Sequence, residues 1–177
     1  AQKYEIAMEI SEWKAGKFIE LFHAASPRIR GVFHRDVQNA LSSGRALVNP
    51  FGRPRIFNGR MDRDLYKEGY AYIPQSTVAD LVQSALLSIN EELNGDTEAY
   101  FVSENHDALV MEAPKDNWKL YAELMQKHMT RPIDFSQYCS LKRDYTLVIP
   151  SDVEISLDPK TGEITNYGAL YKAKGFM

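Results

Sequence analysis

Apolar residues recur at helical spacing in the first quarter of the chain. Trp13, Phe18, Leu21 and Phe22 fall on one face behind Ser11, whose hydroxyl can cap the first turn of a helix. Ser26-Pro27 then reads as a new N-cap and first helical residue, and Ile29, Val32, Phe33, Val37 and Leu41 mark the inward face of a second helix that stops at Gly44. Two helices joined this tightly predict a helical hairpin. The stretch RALVNPFGRPRIFNGR, residues 45–60, breaks the period: β-prone pieces at 46–48 and 55–57 flank Asn49-Pro50 and Gly52, which predicts a small hairpin studded with arginines. Helical spacing returns over 62–93 and ends at Asn94-Gly95, with Pro74 predicting a kink or break near 71–73. Val78, Leu81, Val82, Leu86 and Ile89 give this helix its core face. Two short apolar runs, 99–102 and 109–112, enclose Ser103-Glu104-Asn105-His106-Asp107 and predict a β-hairpin. Pro114 opens a further helix over about 115–130, and β-like pieces follow at 145–149 and 153–157, with DPKTGE as a turn. The order predicts an α+β fold with helices packed on one face of a small antiparallel sheet.

Composition narrows the class without naming a function. A chain of 177 residues suits one compact domain, and 44% hydrophobic with 25% charged residues argues against a disordered or fibrous chain. No apolar run approaches the roughly 20 residues of a membrane span, and no basic, apolar leader is present, so a cytoplasmic location and no membrane partner are expected. Cys139 is the single cysteine, which excludes an internal disulfide and reads as a plain packed residue.

Charge is unevenly spread. Residues 28–67 carry a balance of +6, including Arg53, Arg55 and Lys67, whereas residues 91–123 carry −7. A basic strip beside an acidic one suits an enzyme that holds a phosphate backbone and metal ions, and equally describes two solvated faces of opposite sign.

Longer motifs decide between those readings. NPFGRPRIF, then YKEGYAYIPQSTVADLVQSALLSI, then ENHDALVMEAPKDNWKLYAELM resemble the C-terminal part of family A DNA polymerases, the group of bacterial DNA polymerase I and many bacteriophage replicative enzymes. That family has a Gly-Arg hairpin, a helix with an Arg/Lys-x-x-x-Asn-x-x-x-Gln pattern running into Ala-Asp-Leu, and a strand-turn-strand with Val-His-Asp-Glu. The likeness covers about 45–130 and extends more weakly to both ends. It implies a helical hairpin over 1–44 derived from the fingers and a palm portion over 45–177, packed as one compact unit.

By the same resemblance, Asp107 is one of two catalytic carboxylates and a ligand to Mg²⁺, and His106 lies by the primer terminus. Hard Mg²⁺ prefers carboxylate oxygens and keeps several waters, so one or two aspartates on rigid strands suffice. Gln75 corresponds to the residue that touches the primer-terminal pair; its donor and acceptor suit the acceptors shared by all base pairs in the minor groove. Lys67 takes the family's Arg position, and Arg53 in the Gly-Arg hairpin is expected on the duplex backbone. The implied partners are primer-template DNA and a deoxynucleoside triphosphate.

Two positions depart from the pattern: Ala71 replaces the usual Asn, and Ala108 replaces the Glu that follows the catalytic Asp, a place where some phage members vary. The Asp-Tyr-Ser-like motif with the other aspartate, and the Arg-x-x-x-Lys-x-x-x-(Phe/Tyr)-Gly helix that grips the triphosphate, are absent from these residues. The expectation is therefore templated nucleotidyl transfer, by a two-metal mechanism, only with an N-terminal polymerase portion joined covalently or as a second chain. The alternatives are a non-catalytic remnant that binds duplex DNA or a partner, and a metal phosphohydrolase built on His23, His34, His106 and Asp107.

Overall fold

The computed structural model describes residues 11–134, 146–165 and 170–173; Cys139 and Tyr145 lie outside them. In chain order the elements are α1 (Glu12–Ala25), α2 (Arg35–Gly44), β1 (Ala46–Val48), β2 (Pro54–Ile56), α3 (Arg63–Leu93), β3 (Tyr100–Asn105), β4 (Ala108–Glu112), α4 (Trp118–Met129), β5 (Ile133–Asp134), β6 (Thr146–Leu147), β7 (Glu154–Ile155) and β8 (Tyr171–Lys172). The α+β composition and hairpin pairing are as expected. The strands form two-stranded sheets, β1 with β2, β3 with β4, β5 with β6 and β7 with β8, rather than one continuous sheet. The chain groups into two compact units, one of residues 1–47 with 54–72 and the other of 48–53 with 73–177.

In the first unit Ser11 caps α1 by accepting from the Lys14 amide at 3.4 Å. Trp13, Phe18, Leu21 and Phe22 are each more than half exposed, and α1 buries no residue. The second helical segment has a π-helical stretch, Ile29–His34, before α2. Its wider turns shift the phase of the side chains within it relative to α2, so Val37 and Leu41 are buried while Val32, expected on the same face, is exposed. Leu41 is fully enclosed. Helix α3 passes over it at Gly69, where a Cβ would stand 2.7 Å from Leu41 Cδ1 and 3.0 Å from Val37 Cγ1, closer than packed carbon atoms approach. Leu47, Phe57, Leu65 and Tyr72 complete this core, with Phe57 and Tyr72 edge to face at 5.9 Å. The Arg55 guanidinium sits 4.7 Å from the Phe57 ring centre and bonds Glu68 at 3.0 Å.

Pro74 lies inside α3, and the helix runs through it without a break. Proline removes its own N–H from the ladder and its ring crowds the carbonyl four residues earlier; beside it, the Thr77 hydroxyl donates back to the Ile73 carbonyl at 2.6 Å.

In the second unit the later turns of α3 bury Val82, Ala85 and Ile89, and α4 buries Tyr121 and Ala122. Polar clamps join these helices. Tyr121 Oη donates to Asp96 at 2.7 Å, which pushes the phenol up to about 12. Arg131 donates to Ser88 Oγ at 2.9 Å and to Ser84 Oγ. Lys127 Nζ donates to both Glu92 carboxylate oxygens at 2.7 and 2.8 Å, and His128 Nε2 stands 2.8 Å from one of them.

Those two neighbours hold the Glu92 carboxyl below its ordinary value of 4.5. A depressed folded-state value means that the stabilisation is present above pH 4.5 and is lost as pH falls through the lower value. The thermal midpoint is therefore expected to drop as the protein is acidified below that point, with Glu92→Gln flattening part of the drop. An unchanged acid slope in Glu92→Gln would exclude this carboxylate from the response.

Candidate active site

The His-Asp segment is a hairpin built for a tight turn. Register runs from Tyr100↔Glu112 at the base to Asn105↔Ala108 at the tip, so His106 and Asp107 are the only two loop residues. Between Phe101 and Ser103 the register slips, leaving Val102 as an extra residue in β3. A bulge of this kind increases the local twist and re-aims the side chains beyond it. At the base, the Tyr100 hydroxyl donates to Glu112, which raises the phenol's pKa.

His106 has φ +55°, a left-handed conformation that a two-residue hairpin loop demands at its first position. Both loop side chains are exposed. The sharp turn thus holds Asp107 out from the ribbon, bonded to none of the described residues. A residue branched at Cβ resists this φ, so His106→Val should destabilise the fold by about 1–2 kcal/mol while His106→Gly stays within about 1 kcal/mol of the parent. Urea unfolding of the two variants measures the difference, and equal stability would remove the turn from the account.

Gln75 lies on α3 with its side chain exposed, beside Pro74 and clear of the apolar face. Lys67 belongs to the first unit, exposed, with Nζ 2.8 Å from Asp64. Arg53 is more constrained than a surface arginine in a turn: Nη2 donates to Asp80 and, at 3.0 Å, to Gln83 Oε1. Asp80 also accepts from the Asn49 amide at 2.5 Å. The sequence marked Asn49 only as a turn residue and Asp80 only within the Ala-Asp-Leu motif, and gave Gln83 no role. Several cations of the basic segment are paired nearby with carboxylates, Arg35 with Asp36, Arg53 with Asp80, Arg55 with Glu68 and Lys67 with Asp64. Asp36 and Asp64 are already counted in the +6 balance of that segment, and Asp80 and Glu68, outside it, partly offset the rest.

His23 and His34 face each other edge to face at 5.9 Å, and His34 stacks on Tyr70 at 3.9 Å. Burial, His23 and Arg30 lower the His34 pKa, in that order. Among the described residues no group of three or more His, Cys, Asp or Glu side chains is placed to hold a metal ion, so the four-residue phosphohydrolase set has no support in either unit. The Asp107 carboxylate, exposed at the turn, is a hard oxygen donor of the kind Mg²⁺ prefers.

Residues 1–162 match the profile of DNA polymerase family A. The chain belongs to this family. Its family A relatives include the DNA polymerase I of Deinococcus radiodurans, 28% identical over 155 residues that make up 82% of this chain and 14% of that one. The DNA polymerase I of Bacillus caldotenax is 25% identical over 144 residues, 78% of this chain and 16% of that one. The chain therefore spans about a seventh of the length of these relatives. Its fold is similar to the POL domain of Pol1 from M. smegmatis, whose structure was solved in complex with DNA primer-template and dNTP. The TM-score is 0.59 at 18% identity, over 68% of this chain and 22% of that one. Among the described residues no helix is long and apolar enough to cross a membrane.

Proposed function

We propose that these residues are the C-terminal palm, with part of the fingers, of a DNA-directed DNA polymerase of bacteriophage type. They act in the cytoplasm of a bacterial or phage-infected cell when joined to an N-terminal polymerase portion. The observation that carries the reading is Asp107, held out from a two-residue turn in a family A chain. Asp107 supplies one carboxylate, and the N-terminal portion supplies the other together with the helix that grips the triphosphate. Asp107 and the carboxylate of the N-terminal portion would hold two Mg²⁺ ions, which would activate the primer 3′ hydroxyl and neutralise the leaving pyrophosphate.

The chain's own residues then orient the substrate. His106, next to Asp107, meets the primer terminus; Gln75 reads the shape of the terminal pair through donor and acceptor together; Lys67 and Arg53 hold backbone phosphates. Ala71 and Ala108 each lack a polar group that the family pattern offers, so fewer contacts restrain the duplex and the sugar.

Primer extension by the 177-residue chain, with and without the N-terminal portion, tests the proposal. Extension is expected only with both parts and Mg²⁺ present. Salt-sensitive duplex binding with no extension in the reconstituted mixture would favour the second reading, a duplex-binding remnant, to which Ala108 in place of the family's Glu lends support.

A further inference from the structure

The first unit holds a cationic cleft, of which only Lys67 has a part in the proposed polymerase site. It measures about 560 Å³ and lies between the end of α1, the π-helical stretch, α2 and the first turns of α3. His23 and His34 line it, Arg30, Arg63 and Lys67 bring fixed positive charge, and Asp62 is the one carboxylate in the lining. One oxygen of that carboxylate is taken up in capping α3, where Oδ1 accepts from the Asp64 and Leu65 amides at 3.0 and 3.1 Å. Lys67 shares its ammonium with Asp64. Neither Arg30 nor Arg63 has a hydrogen bond or ion pair among the described residues, so both guanidinium forks are available.

The histidines add donors. His23 Nδ1 is enclosed and meets no partner among the described residues. An enclosed lone pair without a partner is tolerated better than an enclosed N–H, so the neutral ring carries its proton on Nε2. His34 stacks on Tyr70 at 3.9 Å and lies 5.9 Å from His23, centre to centre. Gln38 Nε2 donates to the Tyr70 hydroxyl, which steadies that stack. Burial, His23 and Arg30, in that order, lower the His34 pKa, and the last two are repulsions that a bound anion would reverse.

We propose that this cleft binds a phosphate group, with Arg30 and Arg63 as its main contacts and His23 and His34 as further donors. Guanidinium forks match phosphate oxygens in pairs, and imidazole N–H groups supply single bonds. The phosphate belongs either to a nucleic-acid strand or to a free polyphosphate such as pyrophosphate, the chemistry being the same. The site does not depend on Asp107. Facing His34 are His23, Arg30, Asp62, Arg63, Lys67 and the Tyr66 and Tyr70 phenols. An anion among them favours the charged form of His34, so affinity rises as pH falls through the histidine range.

Histidine ring NMR of the 177-residue chain reads the cleft directly, because two of its four histidines line it and His106 and His128 do not. The chain is titrated with inorganic pyrophosphate and, separately, with a single-stranded oligonucleotide, at constant ionic strength. With pyrophosphate, the His23 and His34 resonances are expected to shift saturably while those of His106 and His128 stay in place. The Kd should rise roughly three- to tenfold in Arg30→Ala and in Arg63→Ala, and fall by a similar factor between about pH 7.5 and about pH 6 in the parent. Both arginines are exposed and bond no described residue, so these variants keep the fold. Tighter binding of the oligonucleotide on the same two histidines supports the cleft and assigns it to a strand; tighter binding of pyrophosphate supports it and assigns a free polyphosphate. No shift of His23 and His34 with either probe, equal shifts of all four histidines with pyrophosphate, or a Kd indifferent to both arginine variants overturns the cleft. Those results leave the role of Asp107 standing, and loss of extension in the reconstituted polymerase leaves the cleft standing.

Discussion

Replacing Asp107 with Ala in the reconstituted polymerase is expected to lower primer extension by on the order of a thousandfold, the scale of losing one preorganised electrostatic stabiliser. Thermal stability should stay within about 0.5 kcal/mol of the parent, because the side chain is exposed and bonds none of the described residues. The pairing of these two results matters more than either alone. A polymerase crippled because its hairpin had melted would show a lowered midpoint too, so intact folding assigns the lost rate to the carboxylate itself. Single-turnover extension with saturating primer-template and Mg²⁺ is the measurement, and extension at parental rate would end the proposed role of Asp107.

The largest effect on stability is expected at Leu41. It has no exposed surface and lies under the first turns of α3 at Gly69, where a side chain of any size would collide with it. Truncation to Ala leaves a cavity that a backbone held by two helices does not close readily, so Leu41→Ala should cost about 3–4 kcal/mol. Gly69→Ala tests the same contact from the other side, by overpacking, and should cost about 1–3 kcal/mol. Calorimetry or urea unfolding of both variants checks the assignment, and a loss below about 1 kcal/mol at Leu41 would contradict the burial described here.

Much of this was legible in the residues because local chemistry and local structure agree. Ser11 caps α1, Gly44 ends α2, and the spacing from Ala99 to Glu112 folds as a hairpin around His106-Asp107. The family was legible for the same reason: its motifs combine a turn, a helix and a ribbon that each carry their own signature. What escaped were features set at a distance. The π-helical stretch ahead of α2 displaced Val32 from the face that helical spacing assigned to it, a shift that simple periodicity does not anticipate. Pro74 did not break α3, although a proline inside a helix removes its own ladder bond and crowds the carbonyl four residues earlier. The apolar face of α1 marked a helix correctly but not a buried one. Asp80 was marked only as part of the Ala-Asp-Leu motif; the fold alone brings it to Asn49 and Arg53, about thirty positions earlier in the chain.

The extra residue at Val102 gives the His-Asp ribbon a reading frame. Strand residues between the bulge and the turn face the sides that the slip assigns to them, whereas residues before it keep the opposite parity. Deleting Val102 would leave every motif residue in the sequence, His106 and Asp107 included, yet rotate the base of the hairpin by one face against its support. In a lineage of such chains, length in this strand should consequently be held more tightly than identity. A one-residue deletion would do there what no single substitution of Val102 does, moving an intact carboxylate away from its place on the ribbon.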